Sequence, residues 1–376
     1  MSQPLRGLFA GAGTLALCLG VLALAAGGED DGGRRAQDGL GPEFLGLVAE
    51  DAFGKPGRYR RVNLRRLRAA GAGLVRQTFD WARIERRPGR YRFRFYDGYV
   101  AALAQNRLRV LPILFNPPRF RSSAPPRGRR RGTYPPRRPA DLGRFGAVLA
   151  RRYGPGGSFW RRRPELPPLP VRAWQVWNEP NLSVYWPSGP SAAGYVRLLR
   201  ATGQVIKRVD PGAEILTAGM PDSELGVPLR AYLRRMYRAG AKGTFDTLAI
   251  NPFAKSAEGV LAVIQGARRI AAAHGDRPPV WVTELGWASG GPPSDFRVGE
   301  RGQARLVERT LLALARRRRE LGLRGVVYFN WRDSLPYRGG RDFFGLHTGL
   351  LRRDGSPKPA LPSYRRVANA LKLPPQ

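Results

Sequence analysis

Short, continuous apolar runs recur along this chain, and longer stretches separate them. The eight runs are Phe44–Ala49, Gly73–Thr78, Arg109–Leu114, Val171–Trp177, Glu214–Ala218, Thr247–Ile250, Val280–Thr283 and Gly325–Phe329. Runs that are apolar throughout are typical of parallel strands buried on both faces. Eight such strands alternating with helices predict a closed α/β barrel, the (β/α)8 or TIM barrel, as a single domain over residues 41–376. An open, doubly wound sheet is the alternative, although no Gly-x-Gly-x-x-Gly follows the first run.

Four of the intervening stretches carry apolar residues at helical spacing. They are Asp141–Tyr153, Ala193–Val209, Gln303–Arg317 and Pro362–Leu371. Hydrophobic residues make up 42% of the chain, which is enough to bury a sizeable core and excludes a globally disordered protein.

The N-terminal segment indicates export. Residues 7–28 carry no charge, Arg6 precedes them, and small residues at 23–26 suit a cleavage site. We therefore expect a signal peptide over 1–26, or an uncleaved membrane anchor, followed by a flexible linker over 27–40. The rest of the protein would be secreted or held at the cell surface. Cys18, the single cysteine, lies in this segment, so the mature chain has no disulfide bond.

The chain is strongly basic, with 65 Lys and Arg residues against 28 Asp and Glu residues and a net charge of +37. Such a charge attracts polyanions. The stretch Asn116–Ala140 concentrates arginine and contains no acidic residue. No helix-turn-helix, zinc-finger or aromatic RNA-binding motif accompanies the charge, so we expect no specific nucleic-acid partner. His274 and His347 are the only histidines, which excludes a histidine-rich zinc site.

Two of the predicted strands end in glutamate. Glu179 follows the fourth run in Trp177-Asn178-Glu179-Pro180-Asn181, and Glu284 follows the seventh in Val282-Thr283-Glu284. The strands of a barrel end on its catalytic face, so both carboxyl groups would reach one cleft. Two facing carboxyl groups are what glycoside hydrolysis requires, one to protonate the leaving oxygen and one to attack or stabilise the anomeric carbon.

The chain resembles the retaining glycoside hydrolases of clan A, nearest the family 39 and family 5 type, over about residues 44–371. Four stretches carry the resemblance: Asp80-Trp81 through Tyr96-Asp97, Trp177-Asn178-Glu179-Pro180-Asn181, Val282-Thr283-Glu284-Leu285-Gly286-Trp287 and Phe329-Asn330-Trp331. The resemblance implies an O-glycosyl hydrolase with Glu179 as general acid/base and Glu284 as nucleophile. It also implies that Asn178 binds the 2-hydroxyl of the sugar and that Arg76 lies beneath Glu284.

Further substrate contacts are expected at the strand ends. The resemblance implies that Trp331 is an apolar platform for a sugar face, with Trp186 and Trp287 serving neighbouring subsites. Asn116 and Asn251 stand at the ends of strands three and six and complete the predicted substrate-binding set. The mechanism needs only two carboxyl groups and water, so we expect no metal ion and no organic cofactor.

One departure from the family concerns strand six. Family members often carry a histidine and a tyrosine there, whereas this chain has Asn251-Pro252-Phe253. The expected function is hydrolysis of a poly- or oligosaccharide, which the charge suggests is anionic, by a monomeric enzyme. A catalytically weakened barrel that binds cell-surface glycan, or a surface protein that binds another polyanion, is the alternative.

Overall fold

The computed structural model of the chain describes residues 40–54, 57–126, 133–336 and 340–371. The predicted signal peptide or anchor, and residues 27–39 of the predicted linker, lie outside these ranges, as does the arginine-rich segment 127–132. Among the described residues, no helix is both long enough and apolar enough to cross a membrane.

Strands and helices alternate eight times in the described residues. The strands are β1 (Leu45–Val48), β2 (Leu74–Asp80), β3 (Arg109–Phe115), β4 (Ala173–Val176), β5 (Glu214–Leu216), β6 (Leu248–Asn251), β7 (Val280–Leu285) and β8 (Leu323–Tyr328). The helices that follow them are α1 (Gly57–Ala69), α2 (Arg94–Gln105), α3 (Pro139–Tyr153), α4 (Ala192–Lys207), α5 (Leu229–Arg238), α6 (Ala257–Ala273), α7 (Gly299–Arg316) and α8 (Ala360–Ala370).

The strands are parallel and close into a barrel. Each of β1 to β4 pairs with the next strand, β6 pairs with β7, β7 with β8, and β8 with β1. Closure comes at β5, where Leu216 bridges Thr247 and the two-residue strand Met220–Pro221 pairs with β6. The predicted (β/α)8 barrel is confirmed, and the open sheet is wrong.

The barrel interior has an apolar layer beneath a polar one, because alternate residues of a strand face inward. The apolar layer is a buried cluster of Val48, Leu74, Leu111, Leu216, Ala249, Trp281 and Val327. Two positions further along three of these strands, β2, β6 and β7, and two positions beyond Ala173 in β4, the inward residues are polar. They are Arg76, Gln175, Asn251 and Thr283. The strand period therefore sets a polar floor at the carboxyl ends of the strands.

The passage after β2, part of the family resemblance, has a structural role. It folds into a short helix, Trp81–Ile84, and a hairpin of Glu85–Arg87 with Arg90–Tyr91. Buried Glu85 accepts hydrogen bonds from Trp81 Nε1 at 2.5 Å and from the Gly89 N–H at 2.8 Å. It also pairs with Arg121 at 3.1 Å, which ties the loop after β2 to the loop after β3.

Candidate active site

Glu284 is held from below by Arg76. The Arg76 Nη1 donates to Glu284 Oε1 at 2.5 Å, and both residues are buried. The same guanidinium donates through Nε to Gln175 Oε1 and through Nη2 to Asn178 Oδ1, each at 2.8 Å. One arginine thus orients the side chains of Glu284, Gln175 and Asn178 and supplies the positive charge that stabilises the Glu284 carboxylate. The family resemblance places Arg76 at this position, beneath Glu284.

Glu179 lies in a different environment. Burial, and secondly the negative charge of Glu284, raise the pKa of the Glu179 carboxyl group to about 8. The Asn251 Nδ2 donates to Glu179 Oε1 at 2.8 Å, and this bond and the charge of Arg76 act in the opposite direction. Thr283 Oγ1 donates to Asn251 Oδ1 at 2.7 Å and so orients the amide. At neutral pH the site therefore favours a protonated Glu179 close to an ion-paired Glu284.

The backbone that carries Glu179 is in an unusual conformation. Trp177 and Glu179 have φ values of 74° and 41°, in the left-handed region that side chains other than glycine rarely adopt. Hydrogen bonds hold this turn: Trp177 Nε1 donates to the Tyr185 carbonyl at 3.0 Å, and the Glu179 N–H donates to the Gly219 carbonyl at 3.2 Å. Such conformations cluster at functional sites, where surrounding contacts enforce them.

Trp331 does not form the predicted sugar platform. It is fully buried, and its Nε1 donates to Asn63 Oδ1 of α1 at 3.1 Å. The strand ends at Tyr328, so the inward alternation stops before Trp331 is reached. Phe329 is the aromatic residue that packs on the inner apolar layer and remains partly exposed at the mouth of the barrel. The prediction for Trp331 is therefore wrong, and Phe329 is the partly exposed aromatic residue at this strand end.

The other two predicted aromatic subsites are also closed. Trp287 is 1% exposed, and its Nε1 donates to the Ala254 carbonyl at 2.8 Å. Trp186 is 5% exposed and packs edge-on against Trp177. Neither ring offers a face to a ligand in this structure, so both side chains support the walls of the site from behind.

The predicted asparagines have distinct environments. Asn251 is fully buried. Its Nδ2 donates to Glu179 and its Oδ1 accepts from Thr283, so this side chain contacts the acid rather than a substrate. Asn178 is partly exposed, and its Oδ1 is held by Arg76, which leaves its Nδ2 for a ligand. Asn116 directly follows β3. Its φ is 63°, and its Nδ2 donates to Asp80 Oδ2 at 2.7 Å.

Three residues of the site escaped the sequence analysis: Gln175, Thr283 and Phe329. Each faces inward two positions beyond a residue of, or packed against, the apolar layer, so the strand period would have found them once the inward face of each strand was known. No group of three or more His, Cys, Asp or Glu side chains in the described ranges is arranged to hold a metal ion.

Comparison with known proteins relates this fold to glycosidases. No family model matches the sequence, and no curated protein matches it. Among solved structures, a family 39 glycoside hydrolase from Xanthomonas axonopodis pv. citri matches 89% of this chain and 68% of its own, with a TM-score of 0.65 and 19% identity. A monomeric β-xylosidase from Caulobacter crescentus CB15 matches 90% of this chain and 70% of its own, with a TM-score of 0.64 and 16% identity.

A third similar structure is a family 39 glycoside hydrolase from the gut symbiont Bacteroides cellulosilyticus WH2, with a TM-score of 0.62 and 19% identity. The match covers 89% of this chain but 64% of that enzyme, less than two thirds of its length. Identities this low show a shared fold. The expected likeness to the barrel of family 39 enzymes is confirmed at that level.

Proposed function

We propose that this chain is a retaining glycoside hydrolase, with Glu179 as general acid/base and Glu284 as nucleophile. The observation that carries the proposal is the asymmetry of the pair. Burial and the Glu284 charge keep Glu179 protonated near neutral pH, whereas Arg76 pairs with Glu284. Two carboxyl groups with opposed environments are what acid and nucleophile roles require. The barrel shared with family 39 enzymes supports the same reading.

The reaction proceeds in two steps. The Glu284 carboxylate attacks the anomeric carbon while Glu179 gives its proton to the departing glycosidic oxygen, which leaves a glycosyl ester on Glu284. Glu179, now ionised, then takes a proton from water, whose oxygen attacks the anomeric carbon and releases Glu284. The sugar is freed with its original anomeric configuration, and both carboxyl groups return to their starting states.

Neighbouring side chains position the sugar. The Nδ2 of Asn178 is available for the 2-hydroxyl, where a hydrogen bond strengthens in the transition state. Phe329, at the mouth of the barrel, offers an apolar surface to one face of the ring. Arg76 remains beneath Glu284 through both steps and stabilises the carboxylate that is regenerated in the second.

The end of strand six favours an enzyme over a barrel that only binds. The histidine and tyrosine common in the family are absent, but Asn251 supplies a hydrogen bond to Glu179 at 2.8 Å. The acid thus keeps a polar partner that orients it. We propose further that the enzyme is exported, acts as a monomer, and cleaves a poly- or oligosaccharide; the net charge of +37 favours an anionic one.

Substitution of the two glutamates tests the proposal. Glu179→Gln and Glu284→Gln should each lower kcat/KM by a factor on the order of 10² to 10⁴ or more, with the thermal transition retained. A matched control is Glu320→Gln, which changes an exposed carboxylate. NMR of the first-formed product should show retention of the anomer. Normal hydrolysis by both glutamine variants, or inversion of the anomer, would contradict the proposal.

A further inference from the structure

Four phenylalanine rings line one side of the barrel mouth. Phe253 contacts Phe344 at 5.6 Å, Phe296 at 6.1 Å and Phe329 at 6.5 Å between ring centroids, and Phe296 contacts Phe344 at 4.5 Å. All four are partly exposed. We call this set the phenylalanine wall. It is built from four separate segments, so its assembly depends on the folded barrel.

The wall stands beside the nucleophile. Phe253 follows β6 and Phe329 follows β8, and β7, which carries Glu284, lies between those two strands. Their rings therefore meet across the end of β7. The Phe329 N–H donates to the carbonyl of Leu285, next to Glu284, at 2.8 Å. The wall is thus continuous with the candidate active site.

The wall is not part of the hydrophobic core. Phe329 packs on the inner layer, whereas Phe253, Phe296 and Phe344 extend outward from it and belong to neither buried cluster. A tight turn fixes Phe253, whose N–H donates to the Asn251 carbonyl at 2.9 Å. These rings consequently keep apolar surface available at the mouth.

Other apolar side chains on the same face point to solvent. Among the described residues, the exposed large hydrophobic side chains are Val62, Phe95, Val184, Leu225, Leu335 and Phe343. Four of the six lie in loops that follow the carboxyl ends of β4, β5 and β8, and Leu335 and Phe343 are 61% and 48% exposed. Contiguous exposed apolar surface marks an interaction site or a ligand-binding groove. Phe343, whose ring centroid lies 6.0 Å from that of Phe344, extends the phenylalanine wall toward solvent.

The chemistry of the two sides of the mouth differs. Sugar hydroxyl groups need polar partners, and the partly exposed Asn178, held by the buried Arg76, supplies one beside the catalytic pair. The wall supplies hydrocarbon and no polar side-chain atom. We propose that the substrate is an amphiphilic oligosaccharide. Its sugar at the cleaved bond lies over the polar floor beside Phe329, and its aglycone, an alkyl or acyl chain or an aryl ring, lies along Phe253, Phe296 and Phe344 of the phenylalanine wall. This inference rests on the proposed glycosidase function.

The test is the dependence of hydrolysis on the aglycone. The sugar is chosen as the one whose activated 2-deoxy-2-fluoro glycoside labels Glu284. Its methyl, butyl, octyl and benzyl glycosides are compared with a disaccharide of the same sugar. For the wild type, kcat/KM should rise about fourfold for each of the first few methylenes, the fold-change equivalent to about 0.8 kcal/mol per buried CH₂. A steep alkyl series indicates a lipid-like aglycone, and a preference for benzyl over butyl, whose leaving alcohols have similar pKa values, indicates an aryl one.

Substitution within the wall links this selectivity to the structure. The double variant Phe253→Ser/Phe344→Ser should lower the octyl-to-methyl ratio of kcat/KM at least tenfold. The matched control is Phe95→Ser, which removes a ring that is 42% exposed and also packs on other aromatic residues, but on α2. It should leave the ratio unchanged. Should the double variant fail to fold, the single variant Phe344→Ser replaces it and should lower the ratio at least threefold.

The outcomes separate this inference from the proposed function. A flat alkyl series together with faster cleavage of the disaccharide would overturn the amphiphilic substrate and leave the glycosidase standing. A change of oligomeric state in the wall variants, with the ratio unchanged, would assign the wall to self-association and also overturn it. If no glycoside is cleaved, the proposed glycosidase function is wrong. The wall is then tested alone, by calorimetric titration of Glu284→Gln with octyl and with methyl β-glucoside. Equal affinity for the two would overturn the wall as an apolar binding surface.

Discussion

At Glu179, three neighbours act on one proton. Burial and the Glu284 charge raise the pKa of the carboxyl group, and the Asn251 hydrogen bond and the Arg76 charge lower it, with a net value of about 8. The sequence places Glu179 and Glu284 at strand ends but gives no contact between them. The pKa of Glu179 depends on Glu284, Asn251 and Arg76, which come from three other strands. This part of the site requires the structure.

The raised pKa has a consequence for stability. A carboxyl group with a folded-state pKa above its ordinary 4.5 binds its proton more tightly in the folded state. Its contribution to the free energy of unfolding is therefore fully present below pH 4.5 and is lost as the pH rises through about 8. Glu179→Gln has no charge to bury. At about pH 9 the variant should therefore have a higher Tm than the wild type and a free energy of unfolding larger by on the order of a few kcal/mol. At about pH 4 the two proteins should differ little.

Thermal denaturation of both proteins across this pH range checks the prediction. Glu320→Gln, at an exposed ion pair, serves as the control and should show no such trend. An equal difference in Tm between wild type and Glu179→Gln at both ends of the range would contradict the raised pKa.

Asn251 should tune the acid. Asn251→Leu keeps the branched shape of the side chain and removes the hydrogen bond that lowers the pKa of Glu179, so the alkaline limb of the kcat/KM profile should move to higher pH. The maximum of kcat/KM should fall roughly tenfold, since a hydrogen bond to a charged group contributes about 1.5 kcal/mol or more. Thr283→Val, which removes only the partner of Asn251, should produce a smaller shift in the same direction. A limb that stays in place in both variants would show that the two residues do not act on Glu179.

At the scale of elements, the interruption of the fifth strand makes room for the site. Residues 217–219 separate Leu216 from Met220–Pro221, and a Cβ built on Gly219 would overlap Asn251 Oδ1 and Thr283 Oγ1. Gly219→Ala should therefore destabilise the protein by about 1 to 3 kcal/mol and lower kcat/KM with it. Gly54→Ala, where an added Cβ meets nothing within 4 Å, is the control. Similar unfolding midpoints in denaturant for the two variants would contradict the close packing at Gly219.

The strands were predictable from sequence because they are buried on both faces and mostly apolar. Four of the helices were not, and α1 shows why. It contains six arginines, and its buried face consists of Leu64, Leu67, Asn63 and Arg60, so its hydrophobic period is weak. The Arg60 guanidinium satisfies its polar atoms on the carbonyls of Ala52 and Phe53. A helix whose buried face includes polar residues with hydrogen-bond partners lacks the apolar period by which a helix is recognised in sequence.

The end of a strand is also hard to read from sequence. Trp331 is an aromatic residue of the kind that can stack on a sugar. However, β8 ends three residues earlier, and the buried ring donates a hydrogen bond to Asn63 of α1. Whether an aromatic residue near a strand end faces the mouth depends on where the alternation stops, and the sequence does not mark that point. Phe329 was quoted within the strand-eight motif without being recognised for this reason.

At the scale of the whole molecule, the charged side chains of the site are paired with one another, whereas the chain carries a large excess of positive charge. Inside, Arg76 is fully engaged by Glu284, Gln175 and Asn178, while the net charge of +37 acts at long range. Binding to an anionic polysaccharide should therefore weaken steeply with ionic strength, since a Debye length is about 10 Å at 0.1 M salt. Serine at Arg129, Arg130 and Arg131 should reduce this salt dependence more than serine at the same number of arginines, Arg161, Arg162 and Arg163. Equal slopes, measured by affinity titration, would exclude a specific role for the first set.

The central claim is that Glu284 becomes covalently glycosylated. The most direct measurement is the intact mass of the wild type and of Glu284→Gln after incubation with a panel of activated 2-deoxy-2-fluoro glycosides, followed by peptide mapping. The account predicts that one sugar adds its glycosyl mass to the wild type alone and that the label maps to Glu284. Labelling of both proteins, labelling at another residue, or turnover of a glycoside with no labelling from that sugar would contradict it.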